Sequence, residues 1–289
     1  MPALQPPMSS SPLPASGEIR AVDDVLGAEV IGVDLAVPLE SASLVKFKAA
    51  LDQYKVLVFR DQELTKKQLV GISRQWGSLG EHIMAGATRE DFKEINVMSN
   101  VGPDGKPTGK HTDESAKRWH TDRSWMPKPA FAMLLYGVEV PSSGGDTLFA
   151  NATMAYDALP DDVRHRIDNL DAIHSIEYSR LAGGGRPATE EEKRRAPPVR
   201  HPLARVHPGT GKKSVYCGCH AWKVEGLPES EGRELLDYLI NFAVQDRFVY
   251  RHRWKKNDLV IWDNRCTFHA ATDFDTANEI RVMYRTIVE

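Results

Sequence analysis

A mainly β fold with a few packing helices, α+β in class, is what this sequence predicts. Three observations predict it. Short apolar runs rich in Val, Ile, Phe and Tyr recur along the chain, punctuated by Gly, Pro, Asn and Asp. Only four longer segments carry apolar residues at helical spacing. No internal repeat and no linker divides the 289 residues, and 41% hydrophobic content is enough for a sizeable core. One domain spanning 18–289 is therefore expected.

The elements follow in order. Residues 1–17 are rich in Pro and Ser and predict a disordered arm; they lack the charged and apolar regions of a signal peptide. Ala28 to Val33 reads as a strand. Ser43 to Tyr54 places Leu44, Phe47, Ala50 and Leu51 on one helical face, and Lys55 to Phe59 is a strand. Thr65 to Trp76 is a second amphipathic helix, with Leu69, Ile72 and Trp76 inward. Phe131 to Val140 predicts a buried strand, and Met154 to Leu170 a helix around Pro160. Residues 181–200 combine glycine, proline and charge, so a mobile loop is expected there, with a lid as its functional reading. Short strands are expected at Arg205 to His207 and Ser214 to Tyr216, then a helix from Glu229 to Val244. The last strands are Phe248 to Trp254, Asp258 to Trp262 and Ile280 to Val288.

Composition excludes some functions. A formal net charge of −3 with mixed signs gives no basic face, so no nucleic-acid partner is expected. No apolar run is long enough to span a bilayer, so no membrane partner is expected either. Three cysteines (Cys217, Cys219 and Cys266) form no disulfide framework and read as reduced thiols of a cytoplasmic protein.

The chemistry concentrates at His120-Thr-Asp122 and at His269. On a strand, residues i and i+2 face one side, so His120 and Asp122 can converge on one metal. His269 would complete the set from just beyond an apolar strand. Two imidazoles and a carboxylate can hold one face of an Fe(II) octahedron, leaving the other three positions for a co-substrate and O₂. An oxygenase of this kind needs two further electrons, which a 2-oxoacid can supply. The distal carboxylate of that acid needs a planar, permanent cation. Arg281 and Arg285 lie four apart on the predicted final strand, so both can face one cavity. Each feature alone has an ordinary explanation. HxD occurs by chance, and charged residues on edge strands discourage aggregation.

Together with Val58 to Gln62, Trp76 to Leu79, Gly144 to Phe149 and Trp262 to Arg265, these residues carry a resemblance. From about Gly17 to the C-terminus the chain resembles the taurine and 2,4-dichlorophenoxyacetate dioxygenase family of Fe(II)- and 2-oxoglutarate-dependent oxygenases. The resemblance implies a double-stranded β-helix (jelly-roll) core. It implies His120, Asp122 and His269 as iron ligands, with Thr147 and Arg281 on the distal carboxylate of 2-oxoglutarate. It implies Arg285 and His82 as substrate-facing, and self-association as a dimer or tetramer. Trp262 to Arg265 is expected to be structural, with Asp263 and Asn264 bonding backbone. The segments 174–180, 248–255 and 258–262 look like the aryloxyalkanoate branch. The expected substrate is a small anion of the phenoxyacetate type, cleaved to a phenol and an oxoacid with release of succinate and CO₂. A taurine-like sulfonate or an alkyl sulfate is the nearest alternative. A non-catalytic jelly-roll binding protein and a zinc hydrolase using the same three ligands are remote ones.

Overall fold

The computed structural model describes residues 17–80, 92–111 and 114–289. Residues 1–16 of the expected arm, and His82, lie outside the described residues. The strands are β1 (Glu18–Ala21), β2 (Ala28–Ile31), β3 (Val56–Phe59), β4 (Asn96–Ser99), β5 (Ala132–Glu139), β6 (Thr147–Asn151), β7 (Asp171–His174), β8 (Val199–Pro202), β9 (Ala204–Val206), β10 (Lys213–Val215), β11 (Ala221–Val224), β12 (Val249–His252), β13 (Leu259–Asp263), β14 (Thr267–Ala271) and β15 (Val282–Val288). The helices are α1 (Ser41–Tyr54), α2 (Lys66–Trp76), α3 (Ala152–Ala158), α4 (Asp161–Ile167), α5 (Ile176–Ala182), α6 (Glu190–Arg195) and α7 (Glu229–Ala243).

The chain is mixed helix and sheet. Seven strands form the main sheet in the order β1-β2-β3-β13-β5-β15-β4, antiparallel except where β2 meets β3. A smaller sheet runs β12-β6-β14. Alternation along β15 shows how the layers divide. Val288 packs with Phe47, Leu69 and Trp76 beneath α1 and α2. Met283 and Ile287 pack with Phe149 and Tyr250 of the smaller sheet. The two sheets therefore share an apolar interior, and α1 and α2 seal the outer face of the larger one. On the far side, α3 and α7 bury Ala155, Leu236 and Leu239 with Phe268 of β14.

Local chemistry sets the helix ends. Thr65 caps α2: its Oγ1 accepts from Gln68 N at 3.3 Å, while Gln68 Oε1 accepts from Thr65 N at 2.9 Å. Such a reciprocal cap is worth about 1 kcal/mol. The single helix expected over 154–170 is two. Pro160 sits between α3 and α4, where its ring and missing N–H end the first and start the second.

Residues 181–200 are not an irregular loop. Past α5 the chain turns through Gly183, Gly184 and Gly185, and α6 begins with a Thr189–Glu192 capping box. Glu192 also pairs with Arg180 at 3.1 Å and Arg186 at 2.8 Å, which ties α6 back to α5. The sequence reading gave weight to glycine and proline and missed the cap. Among the described residues, no helix is long and apolar enough to cross a membrane.

Candidate metal centre

His120 and Asp122 do not lie on a strand. His120 forms an isolated bridge with His269, and Asp122 opens a turn. His120 N donates to His269 O at 3.1 Å, and His269 N donates to His120 O at 2.9 Å. Directly opposed residues of such a pair put their side chains on the same side. The imidazole centroids are accordingly 4.1 Å apart. A reciprocal backbone pair between the two histidines thus replaces the expected i, i+2 strand geometry.

Asp122 is aimed by Asn264. The Asn264 side chain accepts from Asp122 N at 3.0 Å and donates to Asp122 O at 2.7 Å. Asn264 follows β13 and precedes β14, so one turn links the strand carrying His269 to the backbone carrying Asp122. The expectation that Trp262 to Arg265 is structural holds, with Asp122 as the residue gripped. Asp263 in turn is held by Arg265 at 2.6 Å and His207 at 2.8 Å.

The side chains meet. Asp122 Oδ2 lies 3.2 Å from His269 Nε2, and Asp122 Oδ1 lies 3.9 Å from His120 Nε2. One ligand atom from each of the three lies within 4.8 Å of the others. His120 Nδ1 sits 2.7 Å from the Arg118 carbonyl, so it carries the proton and donates, and Nε2 presents its lone pair to the centre. Phe149 and Trp262 pack on the His269 ring at 6.3 and 4.9 Å.

Burial disfavours the Asp122 carboxylate, yet Arg285, His269 and His120 together outweigh it and hold the carboxyl well below its usual range. The group is therefore an anion at neutral pH. Its Oδ2 is buried without a hydrogen-bond partner of good geometry. An orphaned carboxylate oxygen facing two imidazole nitrogens is the environment a divalent cation completes, and the set of two nitrogens and one oxygen suits Fe(II).

A second triad, His207, Asp263 and Cys266, is equally compact. Its donors are spent. His207 Nε2 donates to Asp263, and Nδ1 accepts from Gly209 N and Thr210 N at 3.2 and 3.1 Å. Burial keeps Cys266 a thiol. This cluster is a brace.

Arg281 lies just before β15, not within it, and shares its alternation parity with Met283 and Arg285. It is 2% exposed. Its Nε donates to Gly145 O at 3.3 Å, and no carboxylate among the described residues is ion-paired with it. Burial pulls its pKa down to about 10, with Asp146 pulling the other way. Gly145 has φ +64, and a Cβ there would come 3.3 Å from Arg281 Cδ and 2.9 Å from Pro141, so glycine leaves room for the guanidinium. Thr147, two residues on, opens β6, with its Oγ1 accepting from Trp254 Nε1 at 3.0 Å.

Arg285 is braced on Asp122 Oδ1 at 3.1 Å. It lines a cavity of about 570 Å³ with His120, Asp122, Trp125, Ile176 and His220. Arg281 does not line this cavity, so the two arginines share a face and serve different spaces. His220 had no distinguishing spacing in the sequence. Burial, with the charge of His120 adding, pushes it down to about 3, so the ring is neutral. Ser179 Oγ donates to Ile176 O, so His220 Nδ1 donates to Ser179 Oγ at 2.7 Å.

A buried carboxylate set between two histidines, at the wall of an open cavity, defines a candidate mononuclear metal site of the two-histidine, one-carboxylate class. The comparisons assign the family. Residues 11–287 match the model described as "Taurine catabolism dioxygenase TauD, TfdA family", and the chain belongs to that family. It is 39% identical over 259 residues to an alpha-ketoglutarate-dependent 2,4-dichlorophenoxyacetate dioxygenase of Cupriavidus pinatubonensis, covering 87% of this chain and 90% of the relative. It is 35% identical over 282 residues to an (S)-phenoxypropionate/alpha-ketoglutarate-dioxygenase of Sphingobium herbicidovorans, covering 93% of each. The crystal structure of AAD-2 in complex with Mn(II) and N-oxalylglycine superposes with a TM-score of 0.83 at 38% identity, covering 94% of this chain and 96% of that one.

Proposed function

We propose that this chain is an Fe(II)- and 2-oxoglutarate-dependent dioxygenase that oxidises an aryloxyalkanoate next to its ether oxygen. The observation that carries the reading is the convergence of His120, Asp122 and His269, together with a buried Arg281 that no carboxylate among the described residues ion-pairs. The similarity to relatives named for phenoxyacetate and phenoxypropionate supports this substrate class over a sulfonate or an alkyl sulfate. The two facing sheets are proposed as a double-stranded β-helix, and the three free thiols support a cytoplasmic setting.

His120, Asp122 and His269 would hold the iron. When bound there, iron with 2-oxoglutarate would supply the oxidising power for hydroxylating substrate carbon with O₂, with succinate and CO₂ as the co-products. Arg281 and Thr147 hold the distal carboxylate. The Trp254 N–H occupies a lone pair of Thr147 Oγ1, so the hydroxyl proton is free to be donated to that carboxylate. Arg285 braces Asp122 and presents a cation to the cavity, and His82 is a further substrate-facing candidate. Ile176, Ser179, Arg180 and Gly183 to Gly185 line the cavity from one side, and residues 181–200 are a candidate lid. Hydroxylation of the ether carbon gives a hemiacetal, which collapses to a phenol and an oxoacid.

Purified protein given Fe(II), 2-oxoglutarate and a panel of 2,4-dichlorophenoxyacetate, (S)-phenoxypropionate, taurine and an alkyl sulfate tests this. Phenol with stoichiometric succinate is expected. Sulfite or sulfate would move the substrate to the alternative class, and no succinate with any of them would reject the enzyme reading. Trp254→Phe removes the indole N–H together with part of the ring's volume. The dissociation constant for 2-oxoglutarate should rise about two- to tenfold, the worth of one neutral hydrogen bond. Calorimetry measures it, and an unchanged value would leave Trp254 as packing alone.

A further inference from the structure

Arg60 follows β3 and enters a buried network that ends at Thr147. Its Nη1 donates to Asp258 Oδ2, and its Nε donates to Glu29 at 3.1 Å. Asp258 is fully buried. The same Oδ2 accepts from Lys255 N at 2.7 Å and from His252 Nε2 at 3.2 Å, while Oδ1 has no partner. Asp258 N donates in turn to Lys255 O at 3.1 Å. One carboxylate thus closes the turn that takes the chain from β12 to β13, out of the smaller sheet and into the larger. A carboxylate oxygen only accepts, so His252 Nε2 carries the proton and Nδ1 accepts from Tyr250 OH at 3.1 Å.

Trp254 sits in this turn and is held from two directions. Its backbone continues into Lys255, whose N–H Asp258 holds, and its ring meets the His252 ring edge-on at 4.6 Å. His252 is the register partner of Thr147 across β12 and β6. The indole N–H reaches Thr147 Oγ1 from there.

We propose that Asp258 is a positioning residue for 2-oxoglutarate: it fixes the Trp254 indole, and through it the direction in which the Thr147 hydroxyl donates. The proposal rests on the reading of Thr147 as a partner of the distal carboxylate and deepens it. A hydroxyl rotates about its C–O bond, and an accepted N–H turns its own proton away from that donor. The restriction is only as firm as the indole that imposes it. Residues 253–258 belong to no helix or strand, so side chains must hold them. Burying a carboxylate with one oxygen unpartnered is unfavourable, a cost that packing alone does not require at a turn.

The alternative is a carboxylate that holds the turn and nothing more. The two roles separate on the far end of the oxoacid. Calorimetry on the Fe(II)-loaded protein without O₂ compares 2-oxoglutarate with 2-oxobutyrate, which keeps the 2-oxo and near carboxylate groups and lacks the distal one. Asp258→Ala should raise the 2-oxoglutarate dissociation constant about two- to tenfold, no more than the neutral hydrogen bond it acts through is worth. It should leave 2-oxobutyrate binding unchanged. Added to Trp254→Phe it should cause no further loss, because the group it positions is already gone. Asp258→Asn, which keeps an oxygen for Lys255 N and His252, should restore most of the affinity. Melting curves check folding. If Asp258→Ala does not fold, His252→Phe takes its place with the same expected pattern, since it keeps a ring against Trp254 and cuts the tie to Asp258.

An unchanged 2-oxoglutarate constant, an equal loss for 2-oxobutyrate, or losses that add in the double variant would each overturn the proposal. Failure of the underlying reading is distinct: Thr147→Val would then bind 2-oxoglutarate as the parent does.

Discussion

Replacing Asp122 by alanine should abolish turnover and lower iron affinity by more than about 100-fold, since loss of a group that merely orients a ligand already costs 10- to 100-fold. The chain should still fold. Asp122 Oδ2 makes no good hydrogen bond, and the backbone at this turn is held by Asn264, whose bonds go to the Asp122 N and O. What alanine removes besides the ligand is the partner of Arg285. A cation left unpaired in a half-buried site costs about 1–3 kcal/mol, a minor share of the stability of a domain. That cost has a defined pH dependence. The carboxyl is lowered in the fold relative to its unfolded value near 3.9, so its stabilisation is complete above that pH and fades as pH falls through the lowered native value. Parent and variant should therefore differ in melting temperature at neutral pH and converge in strong acid. Iron titration and succinate formation read the functional loss. Full activity in Asp122→Ala would remove this residue from the metal centre, and with it the case for an oxygenase.

The sequence exposed the candidate metal ligands more clearly than the structure that brings them together. His120, Asp122, His269 and Arg281 were readable as residue types at suggestive separations, whereas Thr147 rested on the resemblance alone. The geometry was misread in one respect. HxD suggested a strand, but His120 is placed by a cross-chain bridge to His269, a pairing that no local pattern encodes. The two strands that carry His269 and Thr147 were not recognised either. β6 and β14 are five residues each, rich in Thr, Ala and Phe and without clean alternation, and they are strands because they pair with each other. Long amphipathic segments behaved differently. α1, α2 and α7 fall where their apolar spacing put them, because a helix face is written within one segment. Asp258 and His220 needed coordinates, since their significance lies in what surrounds them. Trp254 had a legible signal: Tyr250, His252 and Trp254 alternate, and all three turn inward.

Arg281→Met should give a result opposite to the usual one for truncating a buried residue. The guanidinium is nearly inaccessible, donates one long hydrogen bond to Gly145 O and has no paired carboxylate among the described residues. Burying a cation without an anion is unfavourable, and burial drags its pKa down accordingly. Methionine keeps much of the volume and removes the charge. The backbone N–H of residue 281 still donates to Asn100 Oδ1 at 2.8 Å. The protein without 2-oxoglutarate should therefore melt at the same temperature as the parent, or higher. Affinity for 2-oxoglutarate should fall by about 100-fold or more if Arg281 has the proposed role, because the distal carboxylate then loses its charged partner. Stability and function would move apart at one position, as expected where a site stores an unfavourable charge for its ligand to neutralise. Calorimetry with 2-oxoglutarate and melting curves with and without it measure both halves. If melting drops sharply and 2-oxoglutarate affinity does not change, Arg281 is a structural cation, and the oxoacid must be held elsewhere.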